Sequence, residues 1–218
     1  MNKYIDIFSK ILPGAVVTIE VLLASAVLAF VIAFIAGLGR VSRFSIIRRV
    51  TAVYVELFRG TSLLVQLFWI FFALPAFGIQ FSAFLASVVA LGLNYGAYGS
   101  EIVRGAITAI PKGQTEASIA LNMTNFQRMR LVILPQAFRM MLPGFGNISI
   151  ELLKGTSLVS LITLTDLTYR GLIIQNSNIS YTMPVFVTLL FAYFIVALPL
   201  IILARKLEKW SAKGVANA

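Results

Sequence analysis

Long apolar runs, separated by short polar segments, set the pattern of this sequence. One run of 19 uncharged residues lies between Glu20 and Arg40, and another of 41 lies between Arg59 and Glu101. Because about 20 apolar residues cross a hydrocarbon core of ~30 Å, the first run predicts one transmembrane helix and the second predicts two. Later apolar runs predict two more. The pattern therefore predicts an all-α polytopic membrane protein, one domain over residues 1–218 with spans near 14–38, 55–74, 82–103, 138–163 and 183–204.

The segments between the predicted spans are polar or rich in turn residues. Pro75 and Gly78 predict a tight turn between the second and third spans. We expect residues 1–11 to be a short tail and residues 165–182 to be a polar loop. The longest polar stretch, Pro111 to Pro135, separates the third span from the fourth.

Composition supports a membrane protein and excludes several kinds of site. Hydrophobic residues make up 59% of the 218 residues and charged residues only 12%, which is far more apolar than a soluble domain. The chain has no Cys and no His, so it lacks disulfides and the commonest metal ligand and general base. It also lacks a Gly-x-x-x-x-Gly-Lys-Ser/Thr phosphate loop. We therefore expect no enzymatic ATP hydrolysis by this chain, no cofactor and no metal.

The net charge of +10 is distributed unevenly along the chain. Four Lys or Arg residues lie in segment 40–49, five in 104–139 and four in the tail that starts at Arg205; a five-span arrangement places all three segments on one side. The other side holds Lys3, Lys10 and Arg170. The positive-inside rule then places the N-terminus outside and the C-terminus in the cytoplasm. This asymmetry accounts for the charge without a nucleic-acid partner.

The stretch Pro111 to Pro135 has the pattern of two short helices joined by a turn. Pro111 suits a first helical position, because its missing N–H would have no partner there. Asn122 suits the turn, because Asn tolerates positive φ. Thr124 and Gln127 have the capping-box spacing that begins a second helix. Pro135 either closes that helix or begins the next element. The residues expected on one face of the second helix are Phe126, Met129 and Ile133.

Two other interpretations of this stretch remain open on local pattern alone. A DNA-binding helix-turn-helix would use Arg128 and Arg130 to contact phosphates. An ordinary solvated loop would need no partner. Both ends of the stretch continue into apolar sequence of membrane type, which argues against DNA binding.

Several motifs resemble those of a known transporter family. Glu116-Ala117-Ser118, followed by an Ile133-Leu134-Pro135 ending, resembles the EAA loop of permeases of ATP-binding cassette (ABC) importers. The stretches Tyr98–Ile107 and Glu56–Gln66 resemble the polar amino acid branch of that family, the histidine, glutamine and glutamate type. The resemblance covers nearly the whole chain. Asn122 stands where that family normally has Gly.

The resemblance implies a type I importer permease in a bacterial inner membrane. Its implied partners are a dimer of ABC ATPases, a second permease subunit that is identical or related, an extracytoplasmic substrate-binding protein and the surrounding lipid. The loop 105–135 would be the coupling loop that contacts the ATPase. The residues implied in coupling are Gly113, Gln114, Glu116, Ala117, Ala120, Leu121 and Asn122.

An eight-residue segment occurs twice, as Glu56–Leu63 and as Glu151–Leu158, with six identical positions. We call these the first copy and the second copy. The acidic and basic residues of each copy are three apart, which predicts the ion pairs Glu56–Arg59 and Glu151–Lys154. The first pair lies near a predicted membrane edge, where mutual neutralisation is favoured over a functional role. The second lies deeper, where a charge predicts a functional role.

Polar and aromatic side chains in the predicted spans are candidates for a substrate path. The amides of Gln66 and Asn94 predict either ligand contact or hydrogen bonds between helices. Trp69 predicts either a lipid-facing or core position or part of an aromatic wall. The full candidate set is Gln66, Trp69, Asn94, Tyr98, Glu151, Lys154, Thr156 and Ser157, with Tyr95 beside it.

Paired acidic and basic groups suit a zwitterionic substrate, either a polar amino acid or an amino-acid-derived compatible solute such as an ectoine-like molecule. A passive channel or a membrane scaffold is the alternative function. A channel needs a pore-lining filter, and no repeated filter-like segment appears in the sequence.

Overall fold

The computed structural model describes the backbone of residues 2–215 and the side chains of residues 3–211. This part of the chain is helical and contains no strand, so the all-α prediction is confirmed. The α-helices are α1 Asn2–Ile11, α2 Pro13–Arg40, α3 Ser45–Gly60, α4 Leu63–Phe68, α5 Ala83–Thr108, α6 Lys112–Ala120, α7 Asn125–Arg128, α8 Leu134–Gly155, α9 Leu167–Ser177 and α10 Thr182–Val215. π-helical turns cover Trp69–Ala73 and Met129–Ile133, and 3₁₀ turns cover Leu74–Phe77, Thr156–Ile162 and Ile179–Tyr181.

Helices α2, α5 and α10 coincide with the first, third and fifth predicted spans, and α8 with its 3₁₀ extension coincides with the fourth. By length and composition, Pro13–Arg40 and Ile179–Ser211 are able to cross a membrane. The number rises to four when each of two bent helix pairs counts as one span. The count of five remains a prediction. Lys213, one of the charges used for orientation, lies outside the described side chains.

The predicted second span is not one straight helix. α3 ends at Gly60, Thr61 and Ser62 are extended, and α4 begins at Leu63. The axes of Ser45–Gly60 and Leu63–Phe77 differ by 104°. The motif alone does not predict this break, because the matching segment Glu151–Leu158 carries the same Gly-Thr-Ser residues. The predicted turn at Pro75 and Gly78 is present, with Gly78 in the left-handed conformation at φ 81°.

Close packing of α2 against α5 forms the centre of the molecule. A Cβ atom on Gly92 would lie 2.6 Å from the Leu28 side chain, and one on Gly96 would lie 2.8 Å from Ile32. Small residues at such positions let helix backbones approach closely where no hydrophobic effect drives association. α5 therefore packs directly on α2, and it carries the candidates Asn94, Tyr95 and Tyr98.

Two helices occupy segments that we expected to be a tail and a loop. In α1, Ile7 and Ile11 are buried against Leu167 and Val185 of α9 and α10. Asp166 caps the start of α9, and its carboxylate accepts a hydrogen bond from the Tyr169 N–H at 2.8 Å. The polar composition of residues 165–182 hides this helix. Its position depends on contacts with distant residues, including the Tyr193 hydroxyl, which donates to Asp166 Oδ2 at 3.1 Å.

Candidate translocation path and coupling surface

The predicted coupling stretch folds largely as its local sequence indicates. Asn122 is left-handed at φ 56°, directly after the C-cap residue of α6, Leu121. Thr124 and Gln127 form a complete capping box at the start of α7. Pro111 is the residue before the first helical position, one place earlier than expected. Pro135 lies in the first turn of α8, and a π-helical turn joins α7 to it, so Pro135 begins an element rather than closing one.

All seven coupling candidates are exposed. Ser118 is the buried residue of α6 and fastens its turn by donating to the Gln114 carbonyl at 2.6 Å. Ile119, Leu121 and Phe126 expose 57%, 72% and 70% of their surfaces. The expectation that Phe126 shares a face with Ile133 is wrong, because Ile133 is buried in the core. The exposed candidates are therefore the whole predicted set: Gly113, Gln114, Glu116, Ala117, Ala120, Leu121 and Asn122.

The second copy continues as a helix. α8 passes at Thr156 into the 3₁₀ turn Thr156–Ile162 without a break. Glu151 and Lys154 are exposed, whereas Gly155 and Thr156 are buried. The Thr156 hydroxyl donates to the Leu153 carbonyl at 2.7 Å, and that of Ser157 donates to the Lys154 carbonyl at 2.8 Å. The Tyr95 hydroxyl of α5 donates to the Glu151 carbonyl at 2.9 Å. The carboxylate and ammonium groups of this copy are thus directed away from the protein interior.

Around the first copy, Gln66 and Asn94 form hydrogen bonds with each other. Asn94 Nδ2 donates to Gln66 Oε1 at 3.1 Å and to the Phe58 carbonyl at 3.0 Å. Gln66 Nε2 donates to the same carbonyl at 2.9 Å and to the Thr61 hydroxyl at 2.7 Å. The structure therefore gives both amides the role of bonding between helices, one of the two roles that their sequence context allows.

The predicted ion pairs within the two copies are not formed. Among the described side chains, the ion pairs are Asp6–Lys10, Arg40–Glu101 and Glu101–Arg104. The Arg59 guanidinium instead lies 5.3 Å from the centre of the Tyr98 ring, a cation–π arrangement. Spacing of three residues allows a helical pair but does not require one, because exposed charges gain little from pairing.

A cluster around Glu101 was not among our candidates. Glu101 Oε2 accepts hydrogen bonds from Arg104 Nε at 3.0 Å and from Arg104 Nη2 at 2.9 Å. Arg40, at the end of α2, approaches Glu101 Oε1 to 3.5 Å. The three-residue spacing of Glu101 and Arg104 indicates that these two residues can pair on one helix. The pair Arg40–Glu101 joins residues 61 positions apart, and the sequence contains no local signal for it.

Trp69 lines a cavity of about 570 Å³ between α3, α4 and α5. Its walls are almost wholly apolar, and Thr61 and Gln66 are the residues with polar side-chain groups beside Trp69 in its lining. The Trp69 ring stacks with Phe77 at 6.2 Å and is 54% exposed. The cavity lies directly beside the break in the first copy.

Comparisons with known proteins cover nearly the whole chain. It is 46% identical over 205 residues to a probable amino-acid ABC transporter permease protein, y4tF, of Sinorhizobium fredii, covering 89% of this chain and 84% of the relative. It is 39% identical over 211 residues to the L-cystine transport system permease protein TcyB of Bacillus subtilis, covering 94% and 90%. The arginine transport system permease protein ArtQ of the same organism is 34% identical, with 91% of each chain covered.

Solved structures agree with these relatives. A crystal structure of an amino acid ABC transporter with histidines matches with a TM-score of 0.84 and 34% identity, covering 98% of this chain and 96% of the other. An inward-facing structure of the MetNI methionine ABC transporter matches with a TM-score of 0.72 at 23% identity, covering 91% and 96%, which shows the shared fold. Residues 7–214 match the family described as "Binding-protein-dependent transport system inner membrane component". This chain belongs to that family of transport-system inner membrane components.

Proposed function

We propose that this chain is the permease subunit of an ABC importer that carries a polar or zwitterionic amino acid across the bacterial inner membrane. One observation carries the proposal: the similarity to the amino acid ABC transporter structure covers 98% of the chain at 34% identity. Relatives named for cystine, glutamine and arginine support the same substrate class.

The charges on the exposed faces of α3 and α8 support a path for zwitterions. Glu151 and Lys154 of the second copy, with Arg59 of the first, are exposed on helices of largely apolar sequence. Charges in membrane helices normally face a bundle interior or an aqueous cavity. We therefore propose that Glu151 interacts with a substrate ammonium group and that the basic groups interact with its carboxylate. Amino-acid-derived compatible solutes of the ectoine type share this chemistry.

The exposed surface of α6 and α7 is the proposed contact with an ABC ATPase. It exposes the apolar side chains of Ile119, Leu121 and Phe126 and also the charged side chain of Glu116, and such a mixed surface suits a protein partner. Movement of the ATPase pair would pass through this surface to α5 and α8. The complete importer would also contain a second permease and an extracytoplasmic binding protein, with the N-terminus outside and the C-terminus in the cytoplasm.

Substitutions at Asn122 test the coupling role. Asn122→Gly should leave the complex nearly unchanged, because Gly adopts positive φ without strain. Asn122→Val should distort the turn, at a cost of about 1–2 kcal/mol for an unfavourable left-handed residue, and should weaken ATPase association roughly tenfold. The measurements are co-purification with the cognate ATPase in nanodiscs and substrate-stimulated ATP hydrolysis.

Glu116→Lys extends this test by reversing the charge of an exposed side chain without changing the turn. We expect it to lower stimulated hydrolysis by the complex while the permease itself stays folded. A stoichiometric complex with full stimulated hydrolysis in Glu116→Lys combined with Asn122→Val would contradict the coupling role.

A further inference from the structure

The break in the first copy frees backbone carbonyl groups within an apolar region. The last carbonyls of a helix have no partner within that helix, and an unsatisfied group in hydrocarbon costs several kcal/mol. The Thr61 hydroxyl donates to the Leu57 carbonyl at 2.7 Å. The Phe58 carbonyl accepts from both Gln66 and Asn94. Side chains therefore replace the hydrogen bonds that the helix loses.

These side chains come from three places in the fold. Thr61 lies in the break, Gln66 lies in α4, and Asn94 lies in the middle of α5. Asn94 is only 4% exposed, so water cannot easily replace its hydrogen bonds. Because Asn94 also binds Gln66 Oε1, it contacts the end of α3 and the start of α4 together. The network fastens both sides of the break to α5.

The second copy shows that this sequence also forms a continuous helix, since Glu151–Leu158 passes from α8 into the following 3₁₀ turn without a break. No neighbouring atom blocks movement of the first copy at its glycine, because a Cβ on Gly60 would meet nothing within 4 Å. The cavity of about 570 Å³ beside the break leaves room for the segment to move. The same residue types thus support two conformations that differ by the surrounding hydrogen bonds.

We propose that the break between Gly60 and Leu63 is a hinge, and that Gln66 and Asn94 are the positioning residues that hold its bent state. Hinges are formed by a few residues at element ends that absorb large changes of φ and ψ. The proposal that this hinge moves during transport rests on the proposed function. The role of the two amides in holding the bent state is independent of the proposed function.

Distance measurements between spin labels test the bent state in the full-length chain. The chain has no Cys, so Val53→Cys and Phe72→Cys introduce one label on each side of the break, at positions that are 65% and 59% exposed. An uninterrupted helix would place these residues about 28 Å apart at 1.5 Å per residue, and the bent form places them well below that. In lipid nanodiscs, we expect a single short distance for the otherwise unchanged chain.

Asn94→Leu removes the donor while nearly preserving side-chain volume, and we expect it to add a second population shifted towards 28 Å, the spacing of a continuous helix. Asn147→Leu is the matched control, because Asn147 is an exposed amide on α8, away from the break; it should keep the single short distance. Gln66→Met, at a partly exposed position, provides the same test if Asn94→Leu does not fold. A single short distance in every folded variant would overturn the positioning role.

The hinge itself is tested in the complex with the cognate ATPase, with and without a non-hydrolysable ATP analogue. We expect the distance between the two labels to change when the nucleotide binds. An unchanged distance, in a complex that still transports substrate, would overturn the hinge and leave the proposed function intact. Failure of the chain with the native Gln66 and Asn94 to associate with the ATPase would instead contradict the proposed function.

Discussion

The first and second copies have nearly the same sequence and different structures. In the first copy, Gly60 and Thr61 are exposed and the chain turns by 104°. In the second, Gly155 and Thr156 are buried and the helix continues. Gly-Thr-Ser therefore permits a break without requiring one.

The neighbours of each copy account for the difference. Gly155 lies against Tyr95, where a Cβ would come 2.6 Å from the tyrosine oxygen. Val159, one turn later, is buried with Val21 and Leu91. The first copy has no such cover, and the amides of Gln66 and Asn94 satisfy the backbone of its bent form. The comparison shows that the choice between helix and break lies in the packing around the motif.

The five-span topology with the N-terminus outside predicts that both copies lie on helices that run outward across the membrane, and an all-or-none labelling experiment tests this orientation. Phe77→Cys and Ile179→Cys lie beyond the ends of the two copies, at residues that are 72% and 82% exposed. We expect an impermeant maleimide to label both from outside intact cells, because the positive-inside rule places these turns there. Gln114→Cys should react only after permeabilisation. Labelling of Phe77→Cys only in permeabilised cells would show that the copies are not parallel.

The carboxylates of the two copies should differ most in transport. Glu151→Gln removes a charge from the proposed path, and a lost charge-assisted hydrogen bond of about 1.5–3 kcal/mol should lower uptake at limiting substrate at least about tenfold. Glu56→Gln is the matched control and should change uptake less than about twofold, as exposed charges contribute little. The measurement is initial uptake by the complete complex in proteoliposomes. Equal effects of the two substitutions would remove the functional distinction between the copies.

The two glycines should differ in their tolerance of a methyl group. Gly155→Ala displaces Tyr95 from the Glu151 carbonyl, and overpacking of this kind typically costs 1–3 kcal/mol, so about 1–3 kcal/mol is expected here. Gly60→Ala should be neutral or slightly stabilising, because the site is open. Thermal unfolding in detergent, monitored by helical circular dichroism, measures both. If Gly60→Ala lost more stability than Gly155→Ala, burial would not explain why the two glycines differ.

One tyrosine hydroxyl connects the helix of each copy with α5, and removing either hydroxyl should lower the stability of the protein by a small and similar amount. Tyr54 donates to the Leu93 carbonyl at 2.6 Å, and Tyr95 donates to the Glu151 carbonyl at 2.9 Å. We expect Tyr54→Phe and Tyr95→Phe each to cost about 0.5–1.5 kcal/mol, the usual net value of one hydrogen bond. The same unfolding measurement applies. A loss of several kcal/mol in one variant alone would show that its hydroxyl has a further role.

Local sequence was sufficient where a structure depends on neighbouring residues. Asn122 adopts positive φ, and Thr124 with Gln127 forms the capping box, because these conformations arise within a few residues. The turn at Gly78 follows for the same reason. The helical class follows from apolar runs that are long enough for membrane helices. The coupling surface was therefore the part of the site that could be predicted in most detail.

Contacts between distant residues decided the rest. α9 is held by Tyr193, which is 27 positions from Asp166, and Glu101 meets Arg40 of another helix. Residue spacing along a single helix predicts neither the contact of Tyr193 with Asp166 nor that of Arg40 with Glu101.

By itself, the sequence determined an all-α membrane protein with a capped two-helix stretch at residues 111–135. It did so because hydrophobic length, helix caps and turn residues act locally. Only the tertiary structure decided that the first copy bends and the second does not, and that Arg59 lies over Tyr98 rather than beside Glu56. The physical reason is that both outcomes depend on which groups α5 brings to the backbone and side chains of each copy.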